Sequence, residues 1–466
     1  MSLQSQNTRF KILLDNREFG HAPRNIKTSK KRAAIISAIL SLVLILVIYF
    51  TLPLTILTFS GLLVYSSIVA LVIFLLILLF RYFSILIMSY LYLTKYTFEE
   101  IEDFFPFISI IVPVYNEGVV VEDSLNSLLA LDYPNYEIII VNDGSNDDTL
   151  SRVNKFVGYQ QGRSSQVKIS LISKPNGGKA KALNAGIQYS EADFFLCMDG
   201  DSQLSSNSLK MGIRHFVNPE IGAVAGNVKV QNRKKMVTDL QALEYLEGLN
   251  LARSAQGLVG MVNIIPGPIG LFRRQAIVDA GYYSSDTFAE DADITLKILA
   301  KGWKIKYEPN ALSYTEAPAT IQQLLTQRYR WTRGILQAIR KHKKHIVNPT
   351  INFRKTVILW VMFYESLIWP AMNIFANLFF ISVALIYGMS SLLFMWWLGI
   401  AILDFIAAVY CIAAEKEEFR LVPYAIIYRL IYILIVDITK AMATCEEFLG
   451  FKMSWGKLER SGFNGQ

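Results

Sequence analysis

Six consecutive residues organise this chain: Leu196-Cys197-Met198-Asp199-Gly200-Asp201. A mostly apolar lead-in at residues 192–195 precedes them, so a hydrophobic run ends abruptly in two carboxylates around a glycine. This pattern is typical of a buried parallel strand that ends at the edge of a sheet, where open α/β sheets bind ligands. Two aspartates one residue apart suit a hard divalent cation that also holds a diphosphate. The alternative interpretation of the same residues is a strand followed by an Asx turn.

The composition predicts a membrane protein. Of the 466 residues, 53% are hydrophobic and only 18% are charged, and the mean hydropathy is +0.34. Residues 33–50 and 52–80 carry no charged side chain. Because a membrane span needs about 20 apolar residues, residues 33–93 are predicted to form a transmembrane hairpin of two spans.

Basic residues flank this hairpin. Residues 1–32 form a basic segment, and Arg81 and Lys95 follow the second apolar run. By the positive-inside rule both flanks face the cytosol, which places residues 95–350 there as one domain. The net charge of +8 is then explained by interactions with lipid headgroups, and no nucleic-acid partner is expected. These features predict a multi-pass protein of the plasma (inner) membrane.

Strands and helices alternate between residues 107 and 198. Apolar runs end near residues 112, 141, 172 and 198, and each is followed by a polar loop and a helical pattern. Repeated strand–loop–helix units predict a doubly wound, nucleotide-binding α/β domain. No G-x-G-x-x-G follows the first strand and no Walker sequence occurs, so NAD or ATP in their usual cradle is not expected. Further helices are predicted at 236–258, at about 293–302 and at 319–340.

The C-terminal part returns to the membrane. Residues 351–445 are predicted to hold interfacial and transmembrane helices with about three spans, and residues 446–466 a tail. The spans are expected within 357–387, whose first part is predicted to lie in the interface, and near 391–413 and 421–439. The last of these carries Arg429 and Asp437, so an interfacial or re-entrant position is the alternative. Glu365, Arg429 and Asp437 are expected either to line a channel or to pair with one another.

An ordered set of motifs extends from about residue 105 to 345. Its members are Asp143, Asp199-Gly200-Asp201, Glu290-Asp291, Gln327-x-x-Arg330-Trp331, and two accompanying stretches, Val112-Pro113-Val114-Tyr115-Asn116-Glu117 and Asn176-Gly177-Gly178-Lys179. In this order the set resembles the processive family 2 membrane glycosyltransferases, which include bacterial poly-N-acetylglucosamine synthases and the hyaluronan, chitin and cellulose synthases. Residues 455–462 resemble the tail of the poly-N-acetylglucosamine synthases. One departure is Ala289, which stands where many members have threonine.

The resemblance implies a fold and a reaction. The fold would be an α/β GT-A-like (Rossmann-like) domain facing the cytosol, inserted between transmembrane and interfacial helices. The reaction would be inverting, processive β-glycosyl transfer from a UDP-sugar, with UDP-N-acetylglucosamine as the best candidate. Implied partners are the growing polysaccharide acceptor, the lipid bilayer that the polymer crosses, and an accessory membrane or export subunit. Mg²⁺ or Mn²⁺ would be the cofactor, held by Asp199 and Asp201.

The resemblance also assigns roles to single residues. Asp291 is the candidate general base and Glu290 its support, although Asp291 could instead cap the helix that follows. Gln327 and Trp331 would bind the acceptor, with packing as the alternative for Trp331. The predicted nucleotide-sugar contacts are Tyr115, Glu117, Asp143, Lys179, Asp199, Lys229 and Arg330. The alternatives are packing for Tyr115, a helix cap for Glu117, a turn for Asp143, a surface ion pair for Lys179 and solvation for Lys229.

Other functions fit parts of the sequence. A hyaluronan or cellulose synthase-like polymerase would use the same motifs. A single-addition transferase acting on a lipid phosphate would not require Gln327-x-x-Arg330-Trp331. A membrane scaffold or transporter without catalysis would have no need of the carboxylates, all of which are present.

Overall fold

The computed structural model describes residues 62–95, 104–347 and 352–451. The predicted basic segment 1–32, the first predicted span and most of the predicted tail lie outside the described residues.

Within the described residues nine strands form one mixed sheet. Strands β1 to β9 comprise Ile108–Val114, Tyr136–Asn142, Gly158–Gln161, Gln166–Ser173, Phe194–Cys197, Ser202–Leu204, Ile221–Val230, Gly270–Arg273 and Lys304–Thr315. Their order in the sheet is β3-β4-β2-β1-β5-β8-β7-β9-β6. Strands β4, β2, β1 and β5 are mutually parallel, and β8 then runs antiparallel to both β5 and β7. Since β9 is parallel to β7, six strands point the same way and present their carboxyl ends at one edge.

Helices cover both faces of this sheet and continue into an apolar C-terminal region. Helices α1 to α16 comprise Leu62–Lys95, Val121–Leu129, Thr149–Asn154, Lys179–Tyr189, Ser208–Ile213, Met236–Glu244, Leu251–Val259, Arg274–Ala280, Glu290–Ala300, Ile321–Lys341, Lys344–Val347, Phe353–Phe363, Trp369–Tyr387, Ser390–Glu415, Tyr424–Ile427 and Ile433–Leu449. In the described chain, π-helical turns at Tyr245–Asn250, Tyr364–Ile368 and Tyr428–Tyr432 join neighbouring helices.

The central strand β1 shows why the sheet is buried. All seven of its residues are inaccessible to solvent, and successive side chains point to opposite faces. Ile110 and Val112 pack in one core cluster with α2, whereas Ile111 packs in the other cluster with α4. A nearly continuous apolar run is what a parallel strand covered on both faces requires.

Strand β9 was not predicted from the sequence. Pro309 and Asn310 interrupt its apolar pattern and favour a turn. In the structure, Gly226 of β7 pairs with Glu308 and the next residue, Asn227, pairs with Leu312, so residues 309–311 bulge out of the ladder. A bulge accommodates proline because the missing N–H removes no ladder hydrogen bond there.

Four described helices are long and apolar enough to cross a membrane: Tyr65–Thr94, Phe353–Tyr387, Leu393–Glu415 and Phe419–Leu449. The helix α1 extends further along the chain than the second predicted apolar run, 52–80. Residues 421–439, for which the sequence left two positions open, lie within the last of the four.

Polar side chains in these helices contact one another. Arg81 of α1 forms an ion pair with Glu365, and Arg429 lies 3.5 Å from the carboxylate of Asp404. Asn373 donates a hydrogen bond of 2.7 Å to Asp437. The three residues singled out from the sequence, Glu365, Arg429 and Asp437, therefore all have polar partners on other helices, as groups at membrane depth require.

Candidate active site

The loop after β2 organises the first part of the site. The Asp143 carboxylate is buried, pairs with Lys174, and accepts hydrogen bonds from the backbone N–H groups of Gly177 (3.0 Å) and Gly178 (2.8 Å). Gly178 has a φ of +89°, a conformation that a side chain would strain. Asp143, predicted as a nucleotide contact, thus holds the loop that leads into Lys179.

Lys179 is the first residue of α4 and lies between two carboxylates. Its Nζ atom contacts Asp199 and lies 2.9 Å from Glu290. Burial alone would lower the pKa of Lys179, but Asp199, Glu290 and Asp291 raise it well above its usual value. A Cβ at Gly267 would lie 2.8 Å from the Lys179 Nζ and 2.9 Å from an Asp199 carboxylate oxygen, so this loop passes directly over the ion pair.

Helix α9 places Glu290 and Asp291. It begins at Glu290, three residues before the predicted start, and its N-cap is Ala289 rather than Asp291. The Asp291 Oδ1 atom accepts a hydrogen bond of 2.8 Å from the N–H of Ala292. Desolvation, reinforced by the charge of Glu290 and opposed by Lys179, raises the pKa of Asp291 to about 6. A carboxylate with such a pKa is suited to accept a proton near neutral pH.

The raised pKa gives a prediction for the pH profile. A general base must be ionised to accept a proton, so with Asp291 in its predicted role sugar transfer should be intact well above pH 6 and should decline below it. We expect kcat/KM, which reports the free enzyme, to fall about tenfold per pH unit on the acid side. Initial rates at saturating metal would measure this, and a flat profile down to about pH 5 would contradict it.

Asp199 and Asp201 differ in exposure. The Asp199 side chain is partly exposed, whereas Asp201 is 5% exposed and lies 3.4 Å from the hydroxyl of Ser202. Between them, a Cβ at Gly200 would lie 2.9 Å from the carbonyl oxygen of Pro113, so the turn passes close to the end of β1. Among the residues that the structure describes, no group of three or more Asp, Glu, His or Cys side chains could hold a metal ion. The protein oxygens here suit a cation whose remaining ligands come from a diphosphate and water.

A pocket joins these residues. Its lining comprises Lys179, Leu183, Cys197, Met198, Ile265, Pro266, Gly267, Gly270, Phe272, Tyr283, Glu290 and Asp291. Its lining combines apolar side chains with one lysine and two carboxylates. Of the predicted site residues, Lys179, Glu290 and Asp291 line this pocket, and Asp199 contacts it through its ion pair with Lys179.

Helix α10 carries the predicted acceptor residues and packs beside the start of α9. A Cβ at Gly334 would lie 2.8 Å from the Cβ of Ala289, and the Phe288 N–H donates to the side chain of Gln337 at 3.1 Å. The small Ala289, noted as a departure from the family pattern, is thus part of the contact between the two helices. Through it α10 is held next to Glu290 and Asp291.

The predicted acceptor residues occupy different environments on α10. Gln327 is buried and accepts a hydrogen bond from Arg328, and Arg330 is half-buried. Trp331 is partly buried, with its ring centroid 6.5 Å from that of Tyr245 and 4.2 Å from the guanidinium carbon of Arg328. Sequence reasoning missed Arg328, although it stands inside the Gln327-x-x-Arg330-Trp331 motif.

Three other predicted contacts lie elsewhere along the sheet edge. Tyr115 is 37% exposed, and the Glu117 N–H donates to Thr149 at 2.8 Å. Lys229 forms a 2.8 Å ion pair with Glu417, in the connection between two apolar helices. None of the three lines the pocket described above.

The sequence profile described as Glycosyl transferase family 2 matches residues 109–279. A poly-beta-1,6-N-acetyl-D-glucosamine synthase from Staphylococcus epidermidis is 33% identical over 261 residues, which are 56% of this chain and 61% of that protein. A protein of the same name from Staphylococcus aureus is 36% identical over 228 residues, which are 49% of this chain and 54% of that protein. The aligned region thus spans less than two thirds of the length of these relatives.

A solved structure is similar to most of the chain. It is a mannosyltransferase from Pyrobaculum calidifontis in complex with GDP-Man and Mn²⁺, and its TM-score is 0.60 at 18% sequence identity. The similarity covers 84% of this chain and 100% of that one. At this identity the match concerns the fold, and it confirms the predicted GT-A-like α/β architecture.

Proposed function

We propose that this chain, which carries a family 2 glycosyltransferase domain resembling poly-beta-1,6-N-acetyl-D-glucosamine synthases, is a membrane-embedded, inverting and processive β-glycosyltransferase. Its donor is a UDP-sugar, with UDP-N-acetylglucosamine as the first candidate, and its product is a polysaccharide that crosses the membrane. The observation that carries the proposal is the arrangement of Asp291, with its raised pKa, beside Lys179 and Glu290 and at the start of a helix that packs against the one bearing Trp331.

In this reaction Asp291 accepts the proton of the acceptor hydroxyl as that oxygen attacks the anomeric carbon. The bond between the anomeric carbon and the diphosphate breaks, and UDP leaves with the electron pair. Lys179, Asp199 and Arg330 contact the donor, and the loop held by Asp143 orders Lys179. Glu290 supports Asp291 by keeping Lys179 in place and by raising the pKa of its neighbour.

Asp199 and Asp201 would hold Mg²⁺ or Mn²⁺ together with the donor diphosphate. Their oxygens are the ligands that such hard cations prefer, and two protein carboxylates leave coordination positions for phosphate oxygens. When bound, the cation neutralises negative charge on the leaving diphosphate. The mannosyltransferase of similar fold was solved in complex with GDP-Man and Mn²⁺, which supports a divalent cation beside the donor here.

Removal of divalent metal should abolish both turnover and tight donor binding. In excess chelator with metal-free substrate we expect UDP release to drop to background, and added Mg²⁺ or Mn²⁺ should restore it. Asp201→Asn should weaken UDP binding, measured by calorimetry, as well as turnover. Full turnover in chelator would show that these aspartates serve another purpose.

The proposal is tested by incubating the purified full-length protein, in lipid nanodiscs, with each UDP-sugar in turn. UDP release and the linkage and length of the product are measured together. Polymer from UDP-N-acetylglucosamine is expected, and polymer from UDP-glucose or from alternating sugars would favour a cellulose or hyaluronan synthase-like enzyme. Transfer of a single sugar to lipid phosphate would support the single-addition transferase instead.

The proposed orientation places the domain in the cytosol, where UDP-sugars are made. An accessory subunit for export belongs to the same proposal. Protease accessibility of an epitope inserted at Tyr159, an exposed residue of β3, in sealed inside-out and right-side-out vesicles would test the orientation.

A further inference from the structure

The guanidinium group of Arg328 lies against the indole of Trp331. Its central carbon is 4.2 Å from the ring centroid, which is the distance of a close cation–π contact. The two residues are three positions apart on α10 and therefore share one face of the helix. Trp331 itself is only partly buried.

Arg328 is itself held from several sides. It is 2% exposed, and its Nε and Nη2 atoms donate to the two carboxylate oxygens of Glu244, the first of them at 3.0 Å. Its Nη1 atom donates to the side chain of Gln327. A bidentate pair of this kind fixes the plane of the guanidinium group, and thereby the surface that it offers to the indole.

Glu244 connects this contact to the membrane helices. It is the last residue of α6, directly before the π-helical turn Tyr245–Asn250. Its Oε2 atom also accepts a hydrogen bond of 2.6 Å from the hydroxyl of Tyr432, which ends the π-helical turn at Tyr428–Tyr432. Side-chain contacts therefore run without a break from an apolar helix through Glu244 and Arg328 to Trp331.

We propose that Arg328 is a positioning residue for the acceptor. It sets the angle of the Trp331 ring and the direction of the Gln327 amide, and the Glu244–Tyr432 contact fixes both relative to the membrane helices. The inference rests on the proposed function, since it assumes that Trp331 binds the acceptor sugar. A buried ion pair that only stabilised the fold would affect folding and donor use as much as acceptor use.

The test compares Arg328→Lys with Arg333→Lys in the full-length protein. Arg333 is a matched control because it is a buried arginine on the same helix that donates to a carboxylate, Glu447, at 2.8 Å. Each lysine keeps the charge and loses the planar fork. The donor is UDP-N-acetylglucosamine, and the acceptors are short oligosaccharides isolated from a wild-type reaction.

For Arg328→Lys we expect the acceptor KM to rise about tenfold or more and the product to shorten, because the stacked guanidinium plane is lost. The donor KM and the UDP affinity should stay within about twofold of wild type, because Arg328 does not line the pocket beside Lys179 and Asp291. Arg333→Lys should leave the acceptor KM and the product length unchanged. An unchanged acceptor KM in the folded Arg328 variant, or an equal rise in the Arg333 variant, would overturn the proposal.

Glu244→Gln decides the question if Arg328→Lys does not fold. The amide still accepts a hydrogen bond from Arg328 but anchors it less firmly, so a smaller rise in acceptor KM, about threefold, is expected. An unchanged acceptor KM in this variant would refute the inference. Failure of the proposed function looks different, since the wild-type protein itself would then extend no oligosaccharide acceptor with UDP-N-acetylglucosamine.

Discussion

Asp291→Asn is expected to eliminate sugar transfer while leaving the protein folded and able to bind UDP. Asparagine has nearly the same size and keeps an oxygen that can accept the hydrogen bond from the Ala292 N–H. It cannot take up a proton, and loss of a general base typically reduces the rate about 10²–10⁴-fold. The helix should not suffer, because Ala289 and not Asp291 is its N-cap.

The measurement is the initial rate of polymer synthesis beside UDP affinity and thermal stability. Asp286→Asn is a suitable control, because Asp286 is exposed and pairs with Lys341 just before the same helix. The control should transfer sugar at a normal rate. If Asp291→Asn itself stayed within about twofold of wild type, the base would have to be sought elsewhere in the pocket.

Trp331→Ala is expected to retain UDP binding and to make little or no long polymer. A processive enzyme must hold the growing chain while UDP leaves and new donor enters. An aromatic ring suits this task because it grips the C–H face of a sugar and still allows it to slide. Loss of a central aromatic contact commonly costs about 2 kcal/mol or more, so product length should fall at least about tenfold.

Product length on a gel, UDP release and UDP affinity together separate this effect from misfolding. Release of UDP by hydrolysis should persist in the alanine variant, since water needs no stacking surface. Trp331→Phe keeps a smaller aromatic face and should give products of intermediate length. Polymer of normal length from the alanine variant would leave Trp331 with the packing role alone, against Tyr245 and Arg328.

The parallel strands β1, β2, β4 and β5 could be predicted because a local sequence pattern marks each of them. Each is largely apolar and is followed by a polar loop, and Asp143 stands directly after β2 and Asp199 two residues after the end of β5. The half of the sheet that contains β8 and β9 could be predicted less completely. Strand β8 is only four residues long, and Pro309 interrupts the strand pattern of β9. Both strands pair with β7, whose residues are distant from them in sequence. A local sequence pattern does not report such a long-range contact.

The residues of the candidate site also differ in whether the sequence alone could predict them. Lys179 and Asp291 could be proposed from motifs, because the residue types themselves report the chemistry. Partners that are set by tertiary packing could not be proposed: Glu244 lies 84 positions before Arg328, and nothing in either segment signals the other. Lys229 was assigned to the nucleotide as a lysine near the end of a strand, and the structure pairs it there with Glu417 from the apolar C-terminal region. Its predicted role stays a prediction.

The attachment of α1 to the sheet domain matters for anyone who wishes to produce that domain alone. The hydroxyl of Tyr92, near the end of α1, donates to the backbone carbonyl of Tyr307 in β9. A Cβ at Gly257 of α7 would come within 3.1 Å of the Tyr92 ring, so helix and domain meet without a gap. A recombinant fragment starting at residue 104 would leave this apolar surface bare to solvent. It should aggregate, or require detergent, even though it contains every strand of the sheet.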